Sequence, residues 1–369
     1  MKIVIINCFD TIEHRAELLK KTMVTAGHTV SILTSDFRHV HKCRRTQVPE
    51  GYRLIHVRPY KKNLSFARLA SHADFAKAVI PYLEQENPEL LWVMLPPNSL
   101  GKTIASYKRK HPECKVVFDV IDMWPESLPF TKIQAIPPLS NWAALRNKHL
   151  ESADMVVTEC AFYWDVLKKY CDAEKHMTIH LAKEDAPFES VPKLPQDKIA
   201  LCYLGSINNI IDIPRICRII RAIPMKAELH IIGDGEKREE FIRAVRETGA
   251  EAIYHGKIYD RAHKQEIFDQ CHFGINVMKD TVYVGLTMKS MDYWEGSLPI
   301  INNIKGDTWK FVENYNIGIN YADEEEISAE KLFASQKDRS DVRAFFERYF
   351  TQAVFSEQVH QVLDKINTY

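Results

Sequence analysis

The apolar positions of this chain fall into two kinds of run, and their alternation organises it. Short, nearly uninterrupted apolar runs at Lys2–Asn7, Thr29–Thr34, Leu90–Leu95, Lys115–Ile121 and Asp154–Thr158 have the length and character of strands buried inside a parallel sheet. Between them lie segments of helical periodicity: Glu13–Ala26, stopped by Gly27; Ser65–Glu86, which sets Phe66, Leu69, Phe75, Val79 and Leu83 toward a core; Ser99–Lys110; Asn141–Ser152; and Phe162–Tyr170. Strand and helix in alternation, with short connections, predict a doubly wound α/β domain. The rhythm breaks over Ala186–Lys198, where three prolines stand on a polar background. It restarts with strands at Lys198–Leu204, Ala227–Gly233, Ala252–His255, His272–Val277 and Leu298–Ile301, and helices at Ile213–Ala222 and Ala262–Cys271. Two amphipathic helices, Asp341–Phe350 and Gln352–Asn367, end the chain. The expected organisation is one Rossmann-like domain over residues 1–185, a linker over 186–197, a second Rossmann-like domain over 198–350 and a terminal segment over 351–369.

The densest candidate chemistry lies in Val282–Trp309, VYVGLTMKSMDYWEGSLPIINNIKGDTW. A Gly285-Leu286-Thr287 turn opens straight into a helix, which leaves backbone amides unpaired at the positive end of the helix dipole and makes an anion site. Thr287 suits the cap, and Lys289, Asp292 and Tyr293 follow at i, i+3 and i+4 on one face. A cation suited to phosphate and a carboxylate suited to sugar hydroxyls then sit together. The pattern equally suits an ordinary structural turn, with Lys289 and Asp292 as a solvated intrahelical pair. A second turn, GSINN at Gly205–Asn209, repeats the amide-rich arrangement before the helix Ile213–Ala222 and brings Gly205, Ser206 and Asn208 to the same edge. Asp307 is the expected cap of the helix after Asn303.

Composition narrows the possibilities. The chain has 369 residues, 46% of them hydrophobic, enough for two cores. Its 49 basic and 49 acidic residues cancel, so overall charge implies no nucleic-acid partner. Eight cysteines occur with no Cys-x-x-Cys spacing, several in strand-like runs, and read as buried free thiols in a reducing, cytoplasmic setting, with no zinc site. The opening MKIVIINCFD is too short in its apolar run for a signal peptide, and no stretch approaches the roughly twenty apolar residues that span a bilayer.

Local charge is less even. Arg38, Lys42, Arg44, Arg45, Arg53, Arg58, Lys61 and Lys62 stand between positions 38 and 62 against Glu50 alone. Such a cluster suits an anionic membrane surface, at about 1 kcal/mol per residue, or a phosphorylated ligand; it suits a solvated loop as well. Few aromatics interleave it, so it is not a stacking platform for single-stranded nucleic acid. The strand Lys115–Ile121 runs into DVIDMWPES, which delivers Asp119, Asp122, Trp124 and Glu126 to a strand end. Carboxylates beside an indole suit a sugar, Glu126 among them, and Asp122 suits a base or an electrostatic stabiliser as well. Equally, Asp122 suits a turn cap and Trp124 a core plug.

The segment VGLTMKSMDYWEGSLPII resembles the donor-binding segment of GT-B glycosyltransferases of the retaining family 4 type. In that pattern Gly285 stands at the first glycine, Asp292 at the second acidic position and Pro299 at the proline, while Val284 replaces the first acid and Thr287 the second glycine. LHIIGDGEKREEFIRAV and IYHGKIYD resemble the middle of the same nucleotide-binding domain, and DMWPES resembles an acceptor-side segment of members that build cell-surface polysaccharides. The resemblance implies two facing Rossmann-like domains with a C-terminal helix crossing back to the first. It implies transfer of a sugar, with retention, from a UDP- or dTDP-linked donor to a saccharide or lipid-diphosphate-linked acceptor, with no metal and no other cofactor. The diphosphate would meet Lys289 and the amides of Gly205, Ser206 and Thr287, the ribose Asp292, and the base Lys257 and Ile258. Ser206 and Ile211 stand where the family carries cations, so Lys289 is expected to supply the charge. Asp280 is a candidate replacement for the missing acid, against an ordinary loop role. Gly233 and Gly235 are expected to serve the turn, and His255 the structure. Arg44, Arg45, Lys61 and Lys62 would face the acceptor or an inner membrane leaflet. Two rivals share the fold: a nucleotide-sugar epimerase, and a non-catalytic partner of a true transferase, for which Val284 and Ser206 would mark a decayed donor site.

Overall fold

The computed structural model of the protein describes residues 1–63, 65–128, 137, 139–184, 194–322, 332 and 339–368. Most of the proline-rich stretch expected to link two domains therefore lies outside the described residues. The chain forms two compact units, Met1–Ala182 with Gln352–Tyr369, and Lys183–Thr351.

In the first unit the order is β1 (Lys2–Asn7), α1 (Glu13–Thr25), β2 (Thr29–Ser35), β3 (Phe37–Arg38), β4 (Cys43–Arg44), β5 (Tyr52–Ile55), α2 (Phe66–Ala78), α3 (Ile80–Glu86), β6 (Leu90–Leu95), α4 (Ser99–Lys110), β7 (Lys115–Val120), α5 (Leu139–Asn147), β8 (Met155–Thr158), α6 (Ala161–Leu167) and β9 (His176–Thr178). Seven strands make one parallel sheet in the order β5-β2-β1-β6-β7-β8-β9. Every residue of β6 is fully buried, as a central strand covered on both faces must be. The short hairpin β3-β4 stands apart from this sheet.

The second unit has β10 (Lys198–Leu204), α7 (Ile213–Arg221), β11 (Lys226–Ile232), α8 (Arg238–Arg246), β12 (Glu251–Gly256), α9 (Arg261–Phe268), β13 (Phe273–Asn276), α10 (Met288–Glu295), β14 (Ile300–Asn302), α11 (Asp307–Tyr315), β15 (Gly318–Asn320) and α12 (Arg339–Tyr349). Its sheet, also parallel, runs β12-β11-β10-β13-β14-β15. Both units are Rossmann-like. The last helix, α13 (Gln352–Thr368), belongs to the first unit, where Phe355, Val359, Val362, Leu363 and Ile366 join Ile3, Ile5, Trp92 and Val117 in one core. Each such fully buried side chain contributes roughly 1.5–3 kcal/mol, ample to fix a helix that returns from the far end of the sequence.

Three sequence expectations change. The helix expected over Ser65–Glu86 is two, parted at Val79, because Pro81, lacking an N–H, sits in the first turn of a new helix that starts at Ile80. Phe66, placed in the core by periodicity, is 84% exposed, since the α2 face that packs inward carries Arg68, His72 and Phe75. Asp307 is the first helical residue of α11, and the cap position goes to Gly306 at φ +77°.

Asp119 does not reach the strand end as a ligand group. It is fully buried and accepts Arg15 Nε at 2.8 Å, Arg15 Nη2 at 2.9 Å and Trp92 Nε1 at 2.9 Å, tying α1 and β6 to β7. Arg15 Nη1 adds the carbonyl of Ile179 at 3.1 Å. Removing one partner of such a pair strands a buried charge. Asp119→Ala is therefore expected to cost about 3–5 kcal/mol in the urea unfolding transition of the first unit, whereas Asp119→Leu combined with Arg15→Met costs clearly less than the single change.

Candidate functional site

A cleft of about 490 Å³ opens at the carboxyl ends of the strands of the second unit. Its floor is where β10, β11 and β12 end side by side. Gly205 N donates to Ile232 O at 2.9 Å, and Gly233 N donates to Gly256 O at 2.7 Å. Gly233 takes φ +142°, and a Cβ there would lie 1.9 Å from Gly205 O, so only glycine lets these strand ends close. Gly233 thus serves packing while it lines the cleft.

One wall is the N-terminus of α10. Thr287 caps it, accepting from Ser290 N at 3.2 Å and donating to Asn276 Oδ1 at 2.9 Å, with Ser290 Oγ returning to Thr287 N in a capping box. The other end of the helix is locked by aromatic residues. Tyr293 is fully buried, accepts from Leu204 N at 2.7 Å and donates to Cys202 O at 3.1 Å; a Cβ at Gly274 would strike its ring at 2.6 Å. Trp294 stacks on Phe350 at 5.7 Å and meets Phe345 edge-on at 5.0 Å. Helix and sheet therefore hold the cap in one place.

That rigid end carries Lys289, which is buried and not solvated. Its Nζ lies 5.1 Å from the centroid of the Tyr203 ring, and among the described residues it makes no hydrogen bond or ion pair. Loss of water pushes the ammonium down from the ordinary lysine range to about 7. Tyr203 in turn holds the Gly205–Asn209 turn, donating from its hydroxyl to Ser206 O at 2.9 Å.

The amides differ from expectation. Gly205 N is used by Ile232 and Thr287 N by Ser290, so neither is left to receive an anion. Those left without a partner among the described residues are Ser206 N in the turn and Met288 N and Lys289 N in the first turn of α10; all three residues line the cleft. Gly285 and Leu286 stay outside its lining, and Gly285 O accepts Thr308 N at 2.9 Å. Asn208 lines the cleft but turns Oδ1 to Ile210 N at 3.0 Å. Asp280 lies outside it, gripped by Arg215 through both oxygens at 2.9 and 2.8 Å. Arg215 also reaches Met278 O at 3.3 Å, so the pair fixes the loop that borders the cleft.

Asp292 lines the cleft without being paired to Lys289. Its Oδ1 accepts Lys183 Nζ at 2.9 Å and Lys264 Nζ at 3.4 Å, which leaves Oδ2 toward ligand chemistry. Lys264 is a second cation in the cleft that sequence reasoning missed, because its place depends on α9 lying beside α10. Lys257 and Ile258 line the opposite end, and Tyr259 beside them, also missed, is 85% exposed. An exposed tyrosine in GKIYD was the one available signal. His255 stacks on His230 at 5.2 Å, with Nε2 to Nδ1 at 3.0 Å, away from the cleft lining.

In the first unit, Glu126 Oε1 accepts Arg146 Nη2 at 2.7 Å, and Arg146 Nη1 and Asn98 Nδ2 both donate to Trp124 O. Asp122 is pushed up by burial, against hydrogen bonds from Ser127, the Met123 backbone and Trp124. Both acids thus pin the DMWPES turn. Of the basic residues, Arg45 reaches Glu13 at 2.5 Å and is largely buried, and Arg44 binds Asp36, whereas Lys61 and Lys62 are exposed. All eight cysteines are free, and only Cys43 is exposed. Among the described residues, no group of three or more His, Cys, Asp or Glu is placed to hold a metal ion, and no helix is long and apolar enough to cross a membrane.

The chain matches no protein-family model and no curated protein. Among solved structures it is similar to sucrose-phosphate synthase from Thermosynechococcus elongatus, at 14% identity and a TM-score of 0.71, over 100% of this chain and 99% of that one. It is similar to the lipopolysaccharide outer core galactosyltransferase WaaB in its apo form, at 13% identity and a TM-score of 0.71, over 98% and 99% of the two chains. A third similar structure is HepE of Anabaena in complex with UDP, at 11% identity and a TM-score of 0.67, over 99% and 100%. At these identities the likeness is one of architecture, and the protein has the GT-B fold.

Proposed function

We propose that the protein is a glycosyltransferase that takes a sugar from a UDP- or dTDP-linked donor held in the second unit and passes it to a saccharide or lipid-linked saccharide. The observation that carries this is Lys289, a buried ammonium with no counter-ion at a helix N-terminus lined by unpaired amides. Isolated buried charge is costly, and a diphosphate supplies the missing partner. HepE, which shares the fold, has been seen with UDP and with UDP-glucose.

In this reading Lys289, with the amides of Ser206, Met288 and Lys289, takes the diphosphate, and Lys264 adds charge. Asp292 Oδ2 accepts a ribose hydroxyl. Lys257 and Ile258 meet the base, and Tyr259 stacks on it. As the bond between the anomeric carbon and the phosphate oxygen breaks, the electron pair leaves with the diphosphate, where fixed cations and dipoles stabilise it without reorganising. The acceptor hydroxyl passes its proton to the departing phosphate oxygen as it bonds to that carbon, on the same face if the family's retention holds. No metal is needed for the leaving group. Asp122 and Glu126 act as positioning residues for the Trp124 turn on the acceptor side, and Asp280 positions the loop bordering the donor.

UDP is expected to bind, and Lys289→Met to weaken it by about tenfold to a hundredfold, the worth of about 1.5–3 kcal/mol for a charged hydrogen bond. Calorimetry reads this; UDP bound equally by Lys289→Met removes the assignment, and no binding of UDP or dTDP favours the non-catalytic partner. Proton linkage gives an independent check. Lys289 is half-neutral near pH 7 in the free protein and must be charged against a diphosphate, so binding takes up a proton above that pH. Affinity for a UDP-sugar, whose phosphates do not titrate in this range, should fall about twenty- to thirtyfold between pH 6.5 and 8.5. Lys289→Met should bind with no such slope.

The membrane-facing part of the reading rests on two of the four basic residues expected, Lys61 and Lys62, together with two apolar side chains. Arg44 and Arg45 are engaged within the unit, while Lys61 and Lys62 stand exposed a few residues before Phe66, itself 84% exposed, and Val40 on the β3-β4 turn is 62% exposed. Lysines around exposed apolar side chains suit an anionic bilayer surface. The protein should co-sediment with vesicles containing phosphatidylglycerol and not with phosphatidylcholine alone. Phe66→Ser with Lys61→Glu and Lys62→Glu should abolish this; unchanged sedimentation would refute the surface.

A further inference from the structure

Arg68 and His72 stand one turn apart on the inward face of α2, at 6% and 3% exposure. Burial takes both from water, yet Arg68 Nε and Nη2 and both ring nitrogens of His72 have no hydrogen-bond partner. Arg68 Nη1 donates to Asn63 O at 3.0 Å, and the Tyr60 hydroxyl lies against the same guanidinium. Neighbouring Tyr60 is held by His39 Nδ1 at 2.5 Å. Aromatic faces cover the pair: the Arg68 guanidinium lies 4.0 Å from the Trp124 ring centroid and 5.8 Å from that of Phe9, and His72 stacks on Trp124 at 6.0 Å with a 13° tilt.

A cation–π contact accounts for the face of the guanidinium and leaves its edge unexplained. Arg15 shows what that edge does when satisfied, since its own Nε and Nη2 grip the two oxygens of Asp119. Arg68 presents the same fork, similarly buried, and among the described residues no carboxylate is hydrogen-bonded to it. Each unpaired buried polar atom costs about 1–3 kcal/mol, more where charge is involved, so four together point to a partner from outside the chain. His72 also lines a cavity of about 290 Å³ among α2, α4 and α5, walled by Leu69, Trp142 and Leu145 with Asn141 and Ser99 as polar groups. An indole and aliphatic wall with few polar atoms suits the C–H faces and hydroxyls of a sugar ring, and the fork suits an oxyanion. Burial and the Arg68 charge hold His72 well below its ordinary range, so it offers one N–H and one lone pair instead of a second cation.

We propose that this face of α2 binds an acidic saccharide, its carboxylate or phosphate on the Nε–Nη2 edge of Arg68 and a hydroxyl on His72. Only the naming of this ligand as the acceptor rests on the transferase reading. The test titrates glucuronate, glucose 6-phosphate and glucose, by NMR, into Lys289→Met protein, in which the other unit's cleft has lost its buried cation. At least one acid should bind tenfold or more tightly than glucose. Arg68→Lys in that background, which keeps the charge and removes the fork, should lower the affinity for that acid about tenfold. Binding of glucuronate alone assigns a carboxylate, of glucose 6-phosphate alone a phosphate, and of both a general oxyanion site. Acids bound no better than glucose, or bound unchanged by Arg68→Lys, overturn the proposal. If Arg68→Lys does not fold, the ratio of acid to glucose in its parent decides alone. UDP binding to the unaltered protein, measured in parallel, reads the donor proposal separately, so either reading can fail while the other stands.

Discussion

A single ammonium held in a dry place without a counter-ion is the constraint from which the second unit is best understood. The desolvation that pushes Lys289 down to about 7 is uncompensated among the described residues. Something rigid must hold it there, or the side chain would swing to water. The capping box at Thr287 and Ser290 fixes the helix start, Tyr293 ties the helix to β10 and β13, and Trp294 anchors it among Phe345 and Phe350. The sign of the resulting linkage is definite. The folded pKa lies below the unfolded one, so the unfolded chain binds more protons between about pH 7 and the ordinary lysine range, and this group's penalty to stability is relieved as pH rises through that window.

The same physics divides two arginines of the first unit. Arg15 and Arg68 are both buried, and each points a Nε–Nη2 edge inward. For Arg15 the chain supplies Asp119, and the result is a structural tie across α1, β6 and β7. For Arg68 the acid whose charge it feels, Asp122, is hydrogen-bonded within its own turn, and the described residues supply ring faces and the Tyr60 hydroxyl. An arginine satisfied from within holds a fold together, and one left open at its edge holds a place for something else.

How much of this was legible in the sequence follows from which interactions are local. Strands covered on both faces write themselves as unbroken apolar runs, so β1, β6, β7 and β10 could be read directly, and the Thr287 cap could be read from its neighbours. Phe66 misled because periodicity gives the spacing of a helix face and not which face is inward; a chain that buries Arg68 and His72 rotates the apolar expectation away from Phe66. The unpaired amides were misassigned for a similar reason. Whether Gly205 N is free depends on Ile232 in the neighbouring strand, and whether Asp280 is free depends on Arg215 in α7, partners separated by tens of residues. Lys264 and Tyr259 came into the cleft by the same long-range packing and left only the odd exposed tyrosine as a trace.

The departures at Val284 and Ser206 bear differently on the two readings once burial is known. A donor site released from its function has no reason to keep a charge that weakens the fold, and replacing a buried, unpaired lysine with methionine would remove that penalty at a stroke. Such a chain would lose Lys289 early. Here Lys289 is present and buried, on a helix that Tyr293 holds to the sheet where Gly274 is bare. Lys264 on α9 and Lys257 just after β12 bring further positive charge to the same cleft. A cleft that bears three lysines, one of them at a cost to the fold, fits the proposed anionic donor better than a decayed site does.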